Sequence, residues 1–207
     1  MKRTILSLAV AALISSGPAF AQQGQPSQPA PAAQTQPNKP APTIGDRDQN
    51  QQDRIANGMD SGQLTAGESK NLESREANVN REVRDDRAGD DGHLTAAERQ
   101  QVNHQQNNLS HSIYQDKHNA AQAHYGNSEV GQRQQRQQDR IANGIRNDKM
   151  TAGQAARDEN REQGINEQVR ADRAGNGGKL TGQEHAQANH EQNRTSRQIY
   201  NQKHSGK

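Results

Sequence analysis

Gln51-Gln52-Asp53-Arg54-Ile55-Ala56-Asn57-Gly58 returns unchanged as Gln137 to Gly144. The match extends in both directions. Residues 51–118 align with 137–204 at a constant offset of 86 without a gap, and 35 of the 68 positions are identical. Ile113-Tyr114 with Lys117-His118 recurs as Ile199-Tyr200 with Lys203-His204. A duplication at fixed period is the signature of a repeat architecture.

Inside each copy runs a finer period of 30 residues. Leu64-Thr65-Ala66 with Glu68 matches Leu94-Thr95-Ala96 with Glu98. Leu72, Val79 and Val83 correspond to Val102, Leu109 and Ile113. Steps of seven and four place each trio on one helix face. The second copy keeps the stripe more weakly, because Asp158 replaces Leu72 while Ala188 and Thr195 replace Val102 and Leu109.

Local signals agree with helices. Thr65, Thr95, Thr151 and Thr181 are followed three residues later by Glu68, Glu98, Gln154 and Glu184. That spacing is a capping box, in which hydroxyl and carboxylate or amide satisfy free backbone N–H groups reciprocally. Gly58, Gly89, Gly144 and Gly175 suit the left-handed position beyond a helix. No proline occurs after Pro42, which leaves the remaining chain free to form long helices.

The expected fold is all-α: two tandem copies of a three-helix unit behind a disordered tail. The first copy predicts a helix ending near Asn57, then helices over 66–87 and 96–118. The second predicts a helix ending near Asn143, then 152–173 and 182–203. The expected divisions are a signal peptide at 1–21, a Pro/Gln/Ala-rich disordered tail at 22–45, repeat 1 at 46–118, a linker at 119–132 and repeat 2 at 133–207. The core candidates of the first copy are Ile55, Met59, Leu64, Leu72, Val79, Val83, Leu94, Val102, Leu109, Ile113 and Tyr114.

Residues 1–21 read as a secretory signal: Lys2 and Arg3, an apolar run from Ile5 to Ile14, and Ala19-Phe20-Ala21 as a cleavage site. The apolar run is too short to span a bilayer. Export, to the periplasm or beyond, is the expected address, and no transmembrane segment is expected in the mature chain. Cysteine is absent, which excludes disulfides, thiolate chemistry and cysteine-based zinc sites. Trp is absent and the only Phe lies in the signal. Composition this polar leaves a thin core.

Without residues 1–21 the chain balances 24 basic against 24 acidic residues. The halves differ: positions 46–118 carry 14 acids and 9 bases, positions 129–207 carry 10 acids and 14 bases. Such asymmetry accommodates a polyanion-binding half, mutual attraction of the repeats, or drift of solvated surface charge.

The loop from Arg87 to Glu98 resembles an EF-hand calcium loop at Asp91, Gly92, Leu94 and Glu98, where oxygen ligands, a sharp turn and a closing glutamate are required. Arg87 and Gly89 occupy ligand positions, so Asp86 and Asp90 would have to compensate. The calcium candidates are therefore Asp86, Asp90, Asp91 and Glu98; the competing reading is that Glu98 only completes a cap. His104, His111 and His118 stand seven apart, about 10.5 Å along a helix, too far for neighbours to chelate one ion. No phosphate loop, nucleophile elbow or apolar catalytic pocket is legible. Gln132-Arg133-Gln134-Gln135-Arg136 is the best polyanion candidate, but no aromatics interleave for base stacking. No nucleic-acid partner is expected.

The pattern Arg54-Ile55 with Gly58, Gly62 to Glu68, Gly92 to Glu98, and Asn107 to His118 resembles a family of exported, largely uncharacterised bacterial helical-repeat proteins. The resemblance implies an exported helical repeat and carries no established activity. The expected function is non-enzymatic: binding, structural or hydrophilin-like protection in the cell envelope, through an unidentified protein or envelope partner, with no cofactor. The alternative is a degenerate EF-hand-like calcium binder.

Overall fold

The computed structural model describes residues 40–205; the expected signal peptide and most of the expected tail lie outside the described residues. Among the described residues there are six helices: α1 Ile44–Asp60, α2 Ala66–Gly89, α3 Ala96–His118, α4 Glu129–Arg146, α5 Ala152–Gly175 and α6 Gly182–His204. No strand occurs among the described residues. The first three helices fall in the first sequence copy and the last three in the second. No helix of the described residues is long and apolar enough to cross a membrane.

Four of the helices start where the capping boxes stand. Thr65, Thr95, Thr151 and Thr181 each cap through reciprocal bonds with the residue three positions on. A fifth box, Thr43 with Asp46, starts α1. It turns Ile44 and Gly45, the end of the expected tail, into helix. Ser128 caps α4, so that helix begins inside the stretch expected as linker.

The glycines correct one expectation. Gly58 and Gly144 are buried within α1 and α4, and none of Gly58, Gly89, Gly144 and Gly175 has positive φ. Left-handed backbone falls instead on Gly62, Asp91, Gly92, Gly126, Asp148, Gly177 and Gly178. The role of Gly58 and Gly144 is close approach. A Cβ on Gly58 would lie 2.7 Å from Leu64, and one on Gly144 would lie 2.5 Å from Met150.

Like helices pair across the duplication: α1 packs on α4 and α2 on α5, while α3 covers α1 and α2, and α6 covers α4 and α5. Gly67 faces Gln163 and Ala77 faces Gly153, so α2 and α5 run antiparallel. The midpoint of these facing pairs is Leu72 on α2 and Asp158 on α5. These two residues are equivalent at the offset of 86, which puts a pseudo-twofold axis between them.

One apolar cluster therefore draws on both copies, with Ile55, Met59, Leu72 and Ile113 packed with Ile141, Ile145, Met150 and Ile199. Two smaller clusters flank it, and they use the same five positions: Val79, Val83, Leu94, Val102 and Ile44 in one copy, Ile165, Val169, Leu180, Ala188 and Val130 in the other. Tyr114 does not join the core; it is 58% exposed. It follows Ile113 directly, and the helical step of about 100° per residue turns it away from the side that Ile113 buries.

Polar bonds supplement the thin core. Gln51 Nε2 donates to the Gln106 carbonyl at 2.6 Å and Gln106 Nε2 to the Ile44 carbonyl at 2.9 Å. Gln137 and Gln192 repeat this, at 2.8 Å to the Gln192 and Val130 carbonyls. Arg54 and Arg140 each donate to the carbonyl of an equivalent serine, Ser110 and Ser196, at 3.0 Å.

Candidate functional site

Of the four calcium candidates, Glu98 is engaged in a cap. Its Oε2 accepts from Thr95 N at 2.7 Å, and Glu98 N donates to Thr95 Oγ1 at 3.2 Å. These bonds hold its carboxyl below the usual range. Asp90, the C-cap of α2, stands beside it, and the Glu98 charge pushes Asp90 up. Asp86 is raised by partial desolvation and then by Glu98. Asp91 takes the left-handed turn position, with φ of 50°. The loop thus brings Asp86, Asp90 and Glu98 near one another. Among the described residues no three His, Cys, Asp or Glu side chains are grouped so as to hold a metal ion.

His118 and His204 are used locally, whereas His185 of α6 faces Glu129 of α4 at 3.6 Å. His118 Nδ1 meets the Tyr114 carbonyl at 2.7 Å and its ring stacks on Tyr114 at 4.2 Å. His204 and Tyr200 repeat both contacts, at 2.7 and 4.0 Å. His104 and His111 are exposed.

A constellation that the sequence did not announce lies between the copies. α2 turns Glu73 and Glu76 inward, and α5 turns the equivalent Glu159 and Glu162 inward. All four are completely buried. Spacing of three puts each pair on one helix face, continuous with Leu72 and Val79 in α2 and with Ala155 and Ile165 in α5. Gln52 Nε2, from α1, donates to Glu73 Oε2 at 3.2 Å. Gln138 Nε2, from α4, donates to Glu159 Oε2 at 2.9 Å. Among the described residues none of the four glutamates forms an ion pair; Asp158, buried beside them, has Arg161 at 3.3 Å.

Charge in this setting is costly, because a buried carboxylate without a cation loses its hydration and gains little in return. Burial pushes Glu73 up to about 8, partly offset by the Gln52 amide. Glu76 rises to about 10, through burial and then the neighbouring Asp48 carboxyl. Burial takes Glu162 to about 8 and Glu159 well above its ordinary value. Asp158 reaches only about 6: burial raises it while Arg161 holds it down. As a carboxylate, Glu76 has no donor at either oxygen; as an acid, its hydroxyl can donate to Asp48. Glu162 likewise has no donor at either oxygen, and Gln134 stands where the first copy has Asp48.

Comparison of the chain with protein-family models, with characterised proteins and with solved structures yields no significant match. The functional reading therefore rests on the residues themselves. The cluster places four carboxyl groups, all shifted upward by burial, where α2 meets α5. Its only trace in the sequence is the identity of Glu73 with Glu159 and of Glu76 with Glu162, which exposed pairs such as Asn57 with Asn143 and Tyr114 with Tyr200 share.

Proposed function

We propose that the chain is a non-enzymatic, exported helical-repeat protein with a structural or protective role in the cell envelope, built to stay folded in acidic surroundings. Its two three-helix copies act as an intramolecular pseudodimer. The observation that carries this reading is the set of four glutamates buried without cations where the copies meet. Neutral carboxylic acids fit that interface; carboxylates do not.

The surface supports the protective side of the reading. Tyr114 and Tyr200 are the only large hydrophobic side chains exposed among the described residues. A surface so poor in apolar patches resists association when solvent conditions change. Export rests on the signal-like residues 1–21.

The consequence for stability has a definite sign. The buried acids titrate higher in the folded than in the unfolded chain. Their contribution is complete below about 4.5, the ordinary glutamate value, and is lost as pH rises through about 8 to 10. The test is the thermal midpoint of the protein followed by circular dichroism from pH 4 to pH 9. The expected profile is highest on the acidic side and falls through the alkaline range. A midpoint that climbs steadily from acid to alkaline pH would sink the proposal.

A further inference from the structure

A second feature of the α2–α5 pair faces solvent. Between the two helices runs a groove of about 470 Å³ whose charged lining is entirely cationic: Lys70 and Arg81 from α2, Arg157 and Arg161 from α5. No carboxylate lines it, in a region of chain where acids and bases are nearly balanced. Its floor is Ala77, Ala156 and Gly153, small enough to let a ligand settle between the helices. Asn78 and Asn160 add neutral amides at the rim.

The cations are not a by-product of the duplication. The pseudo-twofold axis relates this groove to a second stretch of the same helix pair. There the equivalents of Lys70, Arg81 and Arg157 are Ala156, Glu167 and Asn71. Only Arg161 keeps its charge, as Arg75. The related stretch shares Lys70, the equivalent of Ala156, and keeps Arg75, but carries Glu167 and Asn71 where the groove has Arg81 and Arg157, so the cations are denser in the groove. Arg81 and Arg157 are exposed, and no salt bridge occupies either among the described residues. Arg161 is committed to Asp158 on its inner side and is still 43% exposed on its outer side.

The geometry points to this groove as a binding site for a condensed phosphate, a compact ligand carrying several linked phosphate groups. Guanidinium forks pair with phosphate oxygens two at a time. Four cations lining one small groove match a ligand with several adjacent anionic groups better than a single oxyanion. The volume lies in the range of small-ligand pockets.

The test uses inorganic tripolyphosphate and the full-length protein, with binding followed by calorimetry at low salt. The expected result is one site per chain, with orthophosphate at equal ionic strength binding far more weakly. Arg81→Glu and Arg157→Glu should each weaken tripolyphosphate by about tenfold or more, a difference of about 1.4 kcal/mol. Arg136→Glu, an exposed arginine of α4 outside the groove, should leave binding unchanged. Circular dichroism melts establish that the variants fold; Arg81→Gln and Arg157→Gln replace any that do not. Absence of binding, an equal loss in Arg136→Glu, or equal affinity for orthophosphate would overturn the assignment. So would a single-stranded oligonucleotide that binds more tightly than tripolyphosphate through the same arginines, which would give the groove to nucleic acid.

Discussion

Asp60 and Arg146 occupy the same position in the two copies and form a salt bridge with each other. Equivalent residues can touch only where a pseudo-twofold axis passes. A single-copy dimer would place two like charges there. The two copies carry opposite charges there instead, and Arg146 also donates to Asn57 at 3.2 Å. On the other side of the molecule, Leu72 and Asp158 straddle the axis and have diverged as well. Asp60→Arg should destabilise the fold by about 0.5–1 kcal/mol, since both partners are about a third exposed and solvent screens the pair. Arg146→Asp in the same chain should restore most of the loss. A double-mutant cycle of denaturant midpoints measures this. Additive losses would mean that the two side chains do not interact.

The buried acids make a prediction at the level of single residues. Glu162→Gln removes a group that is neutral in the fold below about 8 and must be charged or forced neutral above it. The amide keeps the shape and cannot ionise. The variant should match the parent near pH 5 and exceed it at pH 9 by at least about 1 kcal/mol, the scale of one unit of pKa shift. The same comparison for Glu76→Gln should show a steeper separation, because Glu76 rises to about 10. Urea unfolding at the two pH values reads both. Parallel profiles for parent and variants would remove these glutamates from the pH response.

The helices were legible because their signals are local. A threonine and a glutamate three residues apart specify a cap without reference to the rest of the chain, and α3 spans 96–118 as the sequence predicts. Ten of the eleven core candidates of the first copy are buried; the exception, Tyr114, turns outward and stacks on His118. The carboxyl cluster was not legible for the opposite reason. Glutamate is normally a surface residue, and only the pairing of α2 with α5 makes Glu73 and Glu159 interior. The change from Leu72 to Asp158 likewise looks like a weakened stripe in sequence, whereas in space it marks the axis.

Two glycines separate packing from propensity. A Cβ on Gly131 would lie 1.6 Å from the Tyr125 carbonyl oxygen, so backbone would have to move. Gly131→Ala should cost more than about 2 kcal/mol, at the upper end for point substitutions. Gly164 sits in mid-helix in α5 with nothing within 4 Å of an added Cβ. Gly164→Ala should stabilise by about 0.5–1 kcal/mol through helix propensity alone. Thermal midpoints of the two variants should move in opposite directions, and a shift of the same sign would contradict the packing around Tyr125.

The loop at 87–98 can be tested in a way that separates a cap from a calcium ligand. Gln154 performs the capping role in α5, accepting from Thr151 N at 2.8 Å, so an amide suffices for the box. Glu98→Gln should therefore preserve the start of α3 and lower stability by less than about 0.5 kcal/mol, whereas Thr95→Ala should lower it by about 1 kcal/mol. A calcium ligand behaves differently: exchanging its carboxylate for an amide removes charge that the ion needs. With Glu98 Oε2 held by Thr95 N, the melt of the parent protein should be the same in calcium and in chelator. A midpoint raised by calcium in the parent, and not in Glu98→Gln, would show that the carboxylate leaves its cap to bind the ion.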